Sequence, residues 1–404
     1  MAMRLESYPK AYFELMASAS LLLLTMGLPS AFLSIFAREL NPSEFLIGLV
    51  SSAWFISRIF VEMPSGALID NFGKYRILAI GLALSAFGAF ICSLANTIYL
   101  LILGRIIWGI GTSLFFSGSS ATIFDLFESN VRGRALGIFQ SIQFIGLFLG
   151  APLGSFMAGI IGYNEVFLIS SILTLCSLLI VVMSKWLREA DNMQVRKRSL
   201  SLMKISIKQV LPNVKNWPLT AIYINSFTRM MMWSGLSTFF PLFLSDLGIK
   251  VELIGLVFAF RTLGIIFSTT ISGLLSDRIG RKPVIILGLA VIAFTLYICT
   301  LTSVISIIEI LFLVGLLNGC GQGLVLTSLM TLLSDAAPPK YRGGAIGVYR
   351  TFMDLGGFVG PLFFMEIFGR MGAYPAFMSG IAIAMVSIAF ASSIKQNQSK
   401  FVNS

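Results

Sequence analysis

The chain has 404 residues, of which 56% are hydrophobic and only 12% charged, with a mean hydropathy of +0.89. No soluble domain of this size has that balance, so the sequence reads as that of a membrane protein. The net charge of +11 fits attraction to anionic headgroups, and no basic pattern here points to nucleic acid.

A helix that crosses the hydrocarbon core needs about 20 largely apolar residues, and twelve such segments fill the chain. The first, 12–37, follows Arg4, Glu6 and Lys10; it is too long for a removable signal and lacks a small-residue cleavage site, so it is expected to stay as a span. The second, 45–69, carries Arg58 and Glu62 four residues apart, on one helix face. It runs into Ser65-Gly-Ala-Leu-Ile-Asp-Asn-Phe-Gly-Lys-Tyr-Arg76, where Gly66 is expected to let helices pass closely and Gly73 to allow a tight turn. Asp70 then sits at a helix end, where a carboxylate can meet a neighbouring helix N-terminus or an Arg.

The third span, 75–95, holds Cys92, and the fourth, 98–124, holds Arg105-Ile-Ile-Trp108-Gly-Ile-Gly111, with Asp125 near its end. The fifth, 135–160, follows Arg132-Gly133-Arg134 and contains Gly146, Gly150, Pro152 and Gly154; the sixth is 165–186, with Cys176. Residues 1–186 thus form a first six-helix bundle. A basic cytoplasmic connector follows at 187–216, where Leu200, Met203, Ile207, Val210 and Val214 recur at helical spacing opposite Lys204, Lys208 and Lys215. That pattern predicts an amphipathic helix on the inner leaflet.

Residues 217–404 repeat the plan, with spans at 218–244, 251–275, 282–303, 305–333, 344–368 and 372–393. Ser272-Gly-Leu-Leu-Ser-Asp-Arg-Ile-Gly-Arg-Lys-Pro283 echoes the first phrase 207 residues later, and Arg342-Gly-Gly-Ala-Ile-Gly347 echoes Arg132-Gly-Arg-Ala-Leu-Gly137. Gly360-Pro361 likewise answers the glycine and proline of the fifth span. The loops opposite the connector hold only Arg38, Lys250 and Arg370 of the 29 Lys and Arg residues, which puts both termini in the cytoplasm. The expected location is a prokaryotic cytoplasmic membrane. Cys92, Cys176, Cys299 and Cys320 lie inside spans without ligand spacing and read as packing residues; histidine is absent.

The duplicated phrase at a turn between two spans resembles the major facilitator superfamily of transporters. The resemblance implies an all-α fold of twelve transmembrane helices in two pseudo-symmetric six-helix bundles, with the substrate site between the halves. It implies that Gly66, Asp70, Gly73, Lys74 and Arg76 help hold one conformation, with Gly273, Asp277, Gly280 and Arg281 as a partner latch. The segment from Arg105 to Gly111 resembles the family's arginine motif associated with proton coupling, with Trp108 where members often carry Gln or a similar polar residue. Gly146, Gly150, Pro152 and Gly154 resemble the helix-bend motif of family antiporters, with Ala151 intervening and Ser155 replacing the last glycine; this favours export.

Charges in mid-helix cost about 2.5–3.5 kcal/mol each unless they find water or a partner, so they mark function. There are five arginines of this kind, Arg58, Arg105, Arg229, Arg261 and Arg350, against two deep acids, Glu62 and Asp354. Arg58 with Glu62 and Arg350 with Asp354 are spaced to pair. A neighbouring guanidinium favours a charged carboxylate and desolvation a protonated one, so both couples are candidates for proton coupling. Arg105, Arg229 and Arg261 are left without a local acid, which suggests an anionic or zwitterionic substrate in a cavity that also offers Trp233 and Asn225.

The expected function is a secondary active transporter that exports a small organic compound, anionic or amphipathic, in exchange for protons by alternating access. The alternatives are a proton-coupled importer or a uniporter of an organic anion, a lipid flippase, and a transport-incompetent sensor. No P-loop, dinucleotide fingerprint or serine triad is present, so no enzyme activity, metal or cofactor is expected. The expected partners are a small-molecule substrate, protons and membrane lipids, with the protein a monomer.

Overall fold

The computed structural model describes residues 9–189, 217–301, 307–338 and 342–394. Among them the long regular elements are all helical. The amphipathic helix expected at 200–214 lies outside the described residues.

In the first half the helices are α1 (Lys10–Gly27), α2 (Leu33–Glu39), α3 (Glu44–Phe72), α4 (Lys74–Ser93), α5 (Ile98–Leu126), α6 (Ser129–Ile161) and α7 (Tyr163–Met183). The second half has α8 (Trp217–Asp246), α9 (Val251–Ile279), α10 (Arg281–Thr300), α11 (Ile308–Ala336), α12 (Arg342–Met371) and α13 (Ala373–Ser393). Ten of these are long and apolar enough to cross a membrane. The other two expected span positions are filled differently. The first breaks into α1 and α2 at Leu28–Phe32, where Pro29 lacks the N–H that a continuous helix would use. The seventh, α8, is 30 residues long but buries Asn225, Ser226, Thr228, Arg229, Ser234 and Thr238.

The hydroxyls of Thr228, Ser234 and Thr238 are tolerable in α8 because the helix backbone satisfies them. Thr228, Ser234, Ser237 and Thr238 each donate a hydroxyl to the carbonyl four residues back, at 2.7 to 2.9 Å.

The chain divides into two compact units, Met1–Phe32 with Ile56–Met203, and Leu33–Phe55 with Lys204–Ser404. Small residues and hydroxyls hold the first together. A Cβ built on Gly150 would lie 2.6 Å from Gly27 Cα, and one on Gly154 only 1.9 Å from the Leu28 carbonyl oxygen, so α6 lies directly on the backbone of α1 and the turn after it. Across α1 and α7, Ser177 donates to the Ser18 carbonyl at 2.9 Å and Thr174 to Thr25 at 3.2 Å.

The second unit repeats these approaches. Gly356 and Gly360 of α12 leave room for the carbonyls of Phe227 and Met231 on α8, at 2.1 and 2.3 Å from a built Cβ. Leu33–Phe55 belongs to this unit through α12: Ser52 donates to the Phe358 carbonyl at 2.6 Å, and Gly48 faces the Pro361 carbonyl.

Candidate functional site

The two copies of the repeated phrase build the same corner. Gly73 (φ 85°) and Gly280 (φ 91°) each stand between two helices in a conformation that L side chains rarely adopt. The following residue is basic and folds back onto an acid at the end of a later helix. In the first unit Lys74, 4% exposed, forms an ion pair with Asp125 at the end of α5. In the second, Arg281 meets Asp335 at the end of α11 at 3.3 Å, Asp277 one turn earlier at 3.0 Å, and the Ser276 carbonyl at 2.9 Å.

Asp125 and Asp335 are therefore members of the two corners that the phrase alone does not reveal. They lie about fifty residues downstream of it, and the signal that could have found them is their own 210-residue offset, shared with Arg132 and Arg342. Arg132 closes the first corner by donating to the carbonyls of Phe124 and Phe127 at 2.7 and 3.2 Å. Asp70 and Arg76 are exposed on either side of the turn. The close-packing role expected of Gly66 is not met, because a Cβ there finds nothing within 4 Å among the described residues, and the same holds for its counterpart Gly273. Both stand where the helix surface is open.

Within the first unit, Arg58 donates to Glu62 at 2.7 Å, and both side chains are about one-fifth exposed. Arg105 stacks over Trp108 at 5.6 Å; Trp108 is fully buried, edge-on to Phe167. No carboxylate pairs with Arg105 among the described residues. Gly146, Gly150 and Gly154 line the contact with α1, and Pro152 lies inside the unbroken α6.

The second unit holds the densest buried polarity. Arg229 on α8 is 5% exposed, with Gln322 of α11 at 3.4 Å and Tyr349 of α12 beside it. Asn225, one turn earlier, is fully buried, and among the described residues its side chain bonds only to the Ala221 carbonyl. Arg261 on α9 is 4% exposed, with its guanidinium 3.7 Å from the Trp233 ring centroid and donating to Ser237 at 2.8 Å. The Nε atoms of Arg229 and Arg261, Asn225 Oδ1 and Gln322 Nε2 are buried without hydrogen-bond partners among the described residues. Neither arginine meets a carboxylate there. A cavity of about 10 Å³ beside Arg261, bordered by Asn318 and Thr295, has room for about one water molecule and not for a substrate.

The expected pair of Arg350 and Asp354 does not form. Asp354 is 1% exposed on the face of α12 that packs into the unit, and Arg350, one turn earlier, carries its longer side chain outward. The neutral partners of the arginines, Gln322, Tyr349 and Ser237, were not legible in sequence, since uncharged polar residues in a span carry no spacing signal.

Two units that repeat the same corner, built on spanning helices, point to one family, and a model of the Major Facilitator Superfamily matches residues 15–245 and 222–400. The chain belongs to the major facilitator superfamily. It is a multi-pass membrane protein and a transporter of that superfamily. Among superfamily relatives it is 22% identical over 356 residues to the uncharacterized MFS-type transporter MJ1560 of Methanocaldococcus jannaschii, covering 87% of this chain and 90% of the relative. It is 23% identical over 385 residues to the quinolone resistance protein NorA of Staphylococcus aureus, covering 94% and 95%. The crystal structure of the nucleoside transporter NupG superposes with a TM-score of 0.79 at 15% identity, over 96% of this chain and all of that one; this shows a shared superfamily fold.

Proposed function

We propose that this transporter exports a small organic compound, anionic or amphipathic, in exchange for protons by alternating access. The observation that carries the reading is the pair of buried arginines, Arg229 and Arg261, which have neutral partners but no carboxylate among the described residues. A buried guanidinium in that setting is costly, and an anionic group on the substrate would offset the cost when it binds. Trp233 adds an aromatic face to the same region.

Glu62 and the buried Asp354 are the proposed proton carriers, since both are acids deep in spans of a chain without histidine. Export rather than uptake is supported by the close seat of Gly146, Gly150 and Gly154 on α1, the part of the helix-bend motif that this chain retains, and by the relative named for quinolone resistance. The cytoplasmic membrane, with both termini inside, is supported by the distribution of Lys and Arg.

The test is a panel of organic anions and lipophilic cations added to proteoliposomes, with substrate flux followed for the wild type, Arg229→Gln and Arg261→Gln. Anions are expected to move, and each substitution is expected to lower their flux at least tenfold, as for loss of one charge-assisted contact. Flux confined to cations and unaffected by either substitution would refute the anionic assignment.

A further inference from the structure

Leu33–Phe55 comprises α2, the turn at 40–43 and the start of α3; it packs with the second unit, although both of its ends are joined to the first. The change of unit falls inside two apolar stretches, between Phe32 and Leu33 and between Phe55 and Ile56. At the first joint the first unit holds its own side firmly. Phe32 is fully buried, with ring centroids 5.1 Å from Tyr163 and 5.9 Å from Phe167, and the Leu28 carbonyl lies against Gly154. Beyond Phe32 the chain belongs by contact to one unit and by connection to the other. Motion of either unit must flex it at the joints or strip it from α8 and α12.

The seat on the second unit is suited to release. Three contacts of α3 with α12 are made on glycine: Gly48 faces the Pro361 carbonyl, Gly357 takes the Phe55 ring, and Gly369 takes the Glu44 stem. Glycine leaves smooth surfaces in place of interlocked side chains. Ser52 adds one hydrogen bond, to the Phe358 carbonyl at 2.6 Å. On the other arm, Arg38 of α2 pairs with Asp246 at 2.6 Å, at the end of α8 farthest from the connector, and its guanidinium lies 5.8 Å from the Phe368 ring. The two side chains are 33% and 51% exposed, and an ion pair so open to water contributes little and exchanges readily. Asn41, at φ 50°, closes the turn between the arms in a conformation that Asn tolerates better than most residues.

We propose that Leu33–Phe55 is a detachable gate, and that Arg38 with Asp246 is its lock. Docked, it covers the far end of α8, the helix that carries Arg229, and the facing part of α12. Released, it moves with the first unit about the joints at Phe32 and Phe55 and uncovers both helices. Glu44 lies near both charges of the lock, so removal of the Arg38 charge leaves Glu44 and Asp246 facing each other with like sign. The inference rests on the chain being a transporter of the superfamily and not on the proposed substrate, coupling or direction.

The test is a distance distribution between two nitroxide labels, measured by pulsed electron resonance on the purified full chain. The labels sit at Asn41→Cys on the turn and Lys250→Cys beyond the end of α8, with Cys176→Ser and Cys320→Ser removing the less buried native thiols. Two distances are expected, a short docked one and a longer released one. Arg38→Gln is expected to raise the released share about two- to fivefold, as for loss of one partly exposed ion pair. Exchanging the charges, Arg38→Asp with Asp246→Arg, is expected to bring the share back down. A single docked distance, both with Arg38 in place and in Arg38→Gln, would overturn the gate. A released share that stays as high in the exchanged pair as in Arg38→Gln would overturn the lock. The two distances are read with the lock intact, so the gate is tested even where a lock variant does not fold.

Discussion

Arg261 shows how a single side chain can be both anchored and available. Its guanidinium sits over the Trp233 ring and donates to Ser237, which fixes its direction and leaves Nε buried without a partner among the described residues. A lysine keeps the charge but has no planar group to stack and no fork to aim. Arg261→Lys is therefore expected to lower substrate flux about tenfold, and flux within twofold of wild type would show that charge alone suffices. Lys74 makes a different use of charge, buried against Asp125 at the end of α5. Asp125→Asn is expected to destabilise the protein by about 1–3 kcal/mol in thermal unfolding, and adding Lys74→Met should recover part of the loss. No recovery in the double variant would mean that the two side chains do not act as a pair. The charges themselves were legible in the sequence, because charged residues stand out against apolar spans. Arg58 with Glu62 was legible because the two are four residues apart on one helix, whereas Asp125, Asp335 and the neutral partners of Arg229 lie on other helices.

Helix ends and crossings follow from a few small residues. The turns at Gly73 and Gly280 could be read from the phrase, since a basic residue that starts a new helix straight after another ends needs a left-handed step between them. Gly73→Ala is expected to cost about 1–2 kcal/mol for that reason. The crossing of α6 over α1 also follows from its motif: a methyl group at Gly154 would sit 1.9 Å from the Leu28 carbonyl oxygen. Gly154→Ala is expected to destabilise by about 1–3 kcal/mol, and Gly66→Ala, in open space, to be neutral within about 0.5 kcal/mol. Thermal unfolding in detergent ranks the three, and a Gly66→Ala loss as large as that of Gly154→Ala would contradict the open environment. Gly66 misleads in sequence because a glycine inside a helix, here α3, suggests a close neighbour whether or not one is there. The break between α1 and α2 left a trace in Pro29, but apolar composition runs straight through it, so hydropathy sees one span where the backbone makes two helices.

For the molecule as a whole, duplication is the feature that sequence conveys best. It predicted the succession of spans in both halves, and the structure repeats the corner with Lys74 and Asp125 in one unit, and Arg281 and Asp335 in the other. The polarity of the two units is not duplicated. The first carries the ion pair of Arg58 and Glu62, and the second carries Arg229, Arg261 and Asp354, all buried. In the proposed cycle that asymmetry divides the labour, with substrate charge met by the second unit and protons carried by Glu62 and Asp354. Internal pH in dye-loaded proteoliposomes tests this coupling when an anion that the wild type transports is added, with Glu62→Gln, Asp354→Asn and empty liposomes alongside. The wild type is expected to move protons with substrate, and at least one of the two variants to lose that movement. Substrate flux with no pH change in the wild type, or unchanged proton movement in both variants, would contradict proton exchange through these carboxylates.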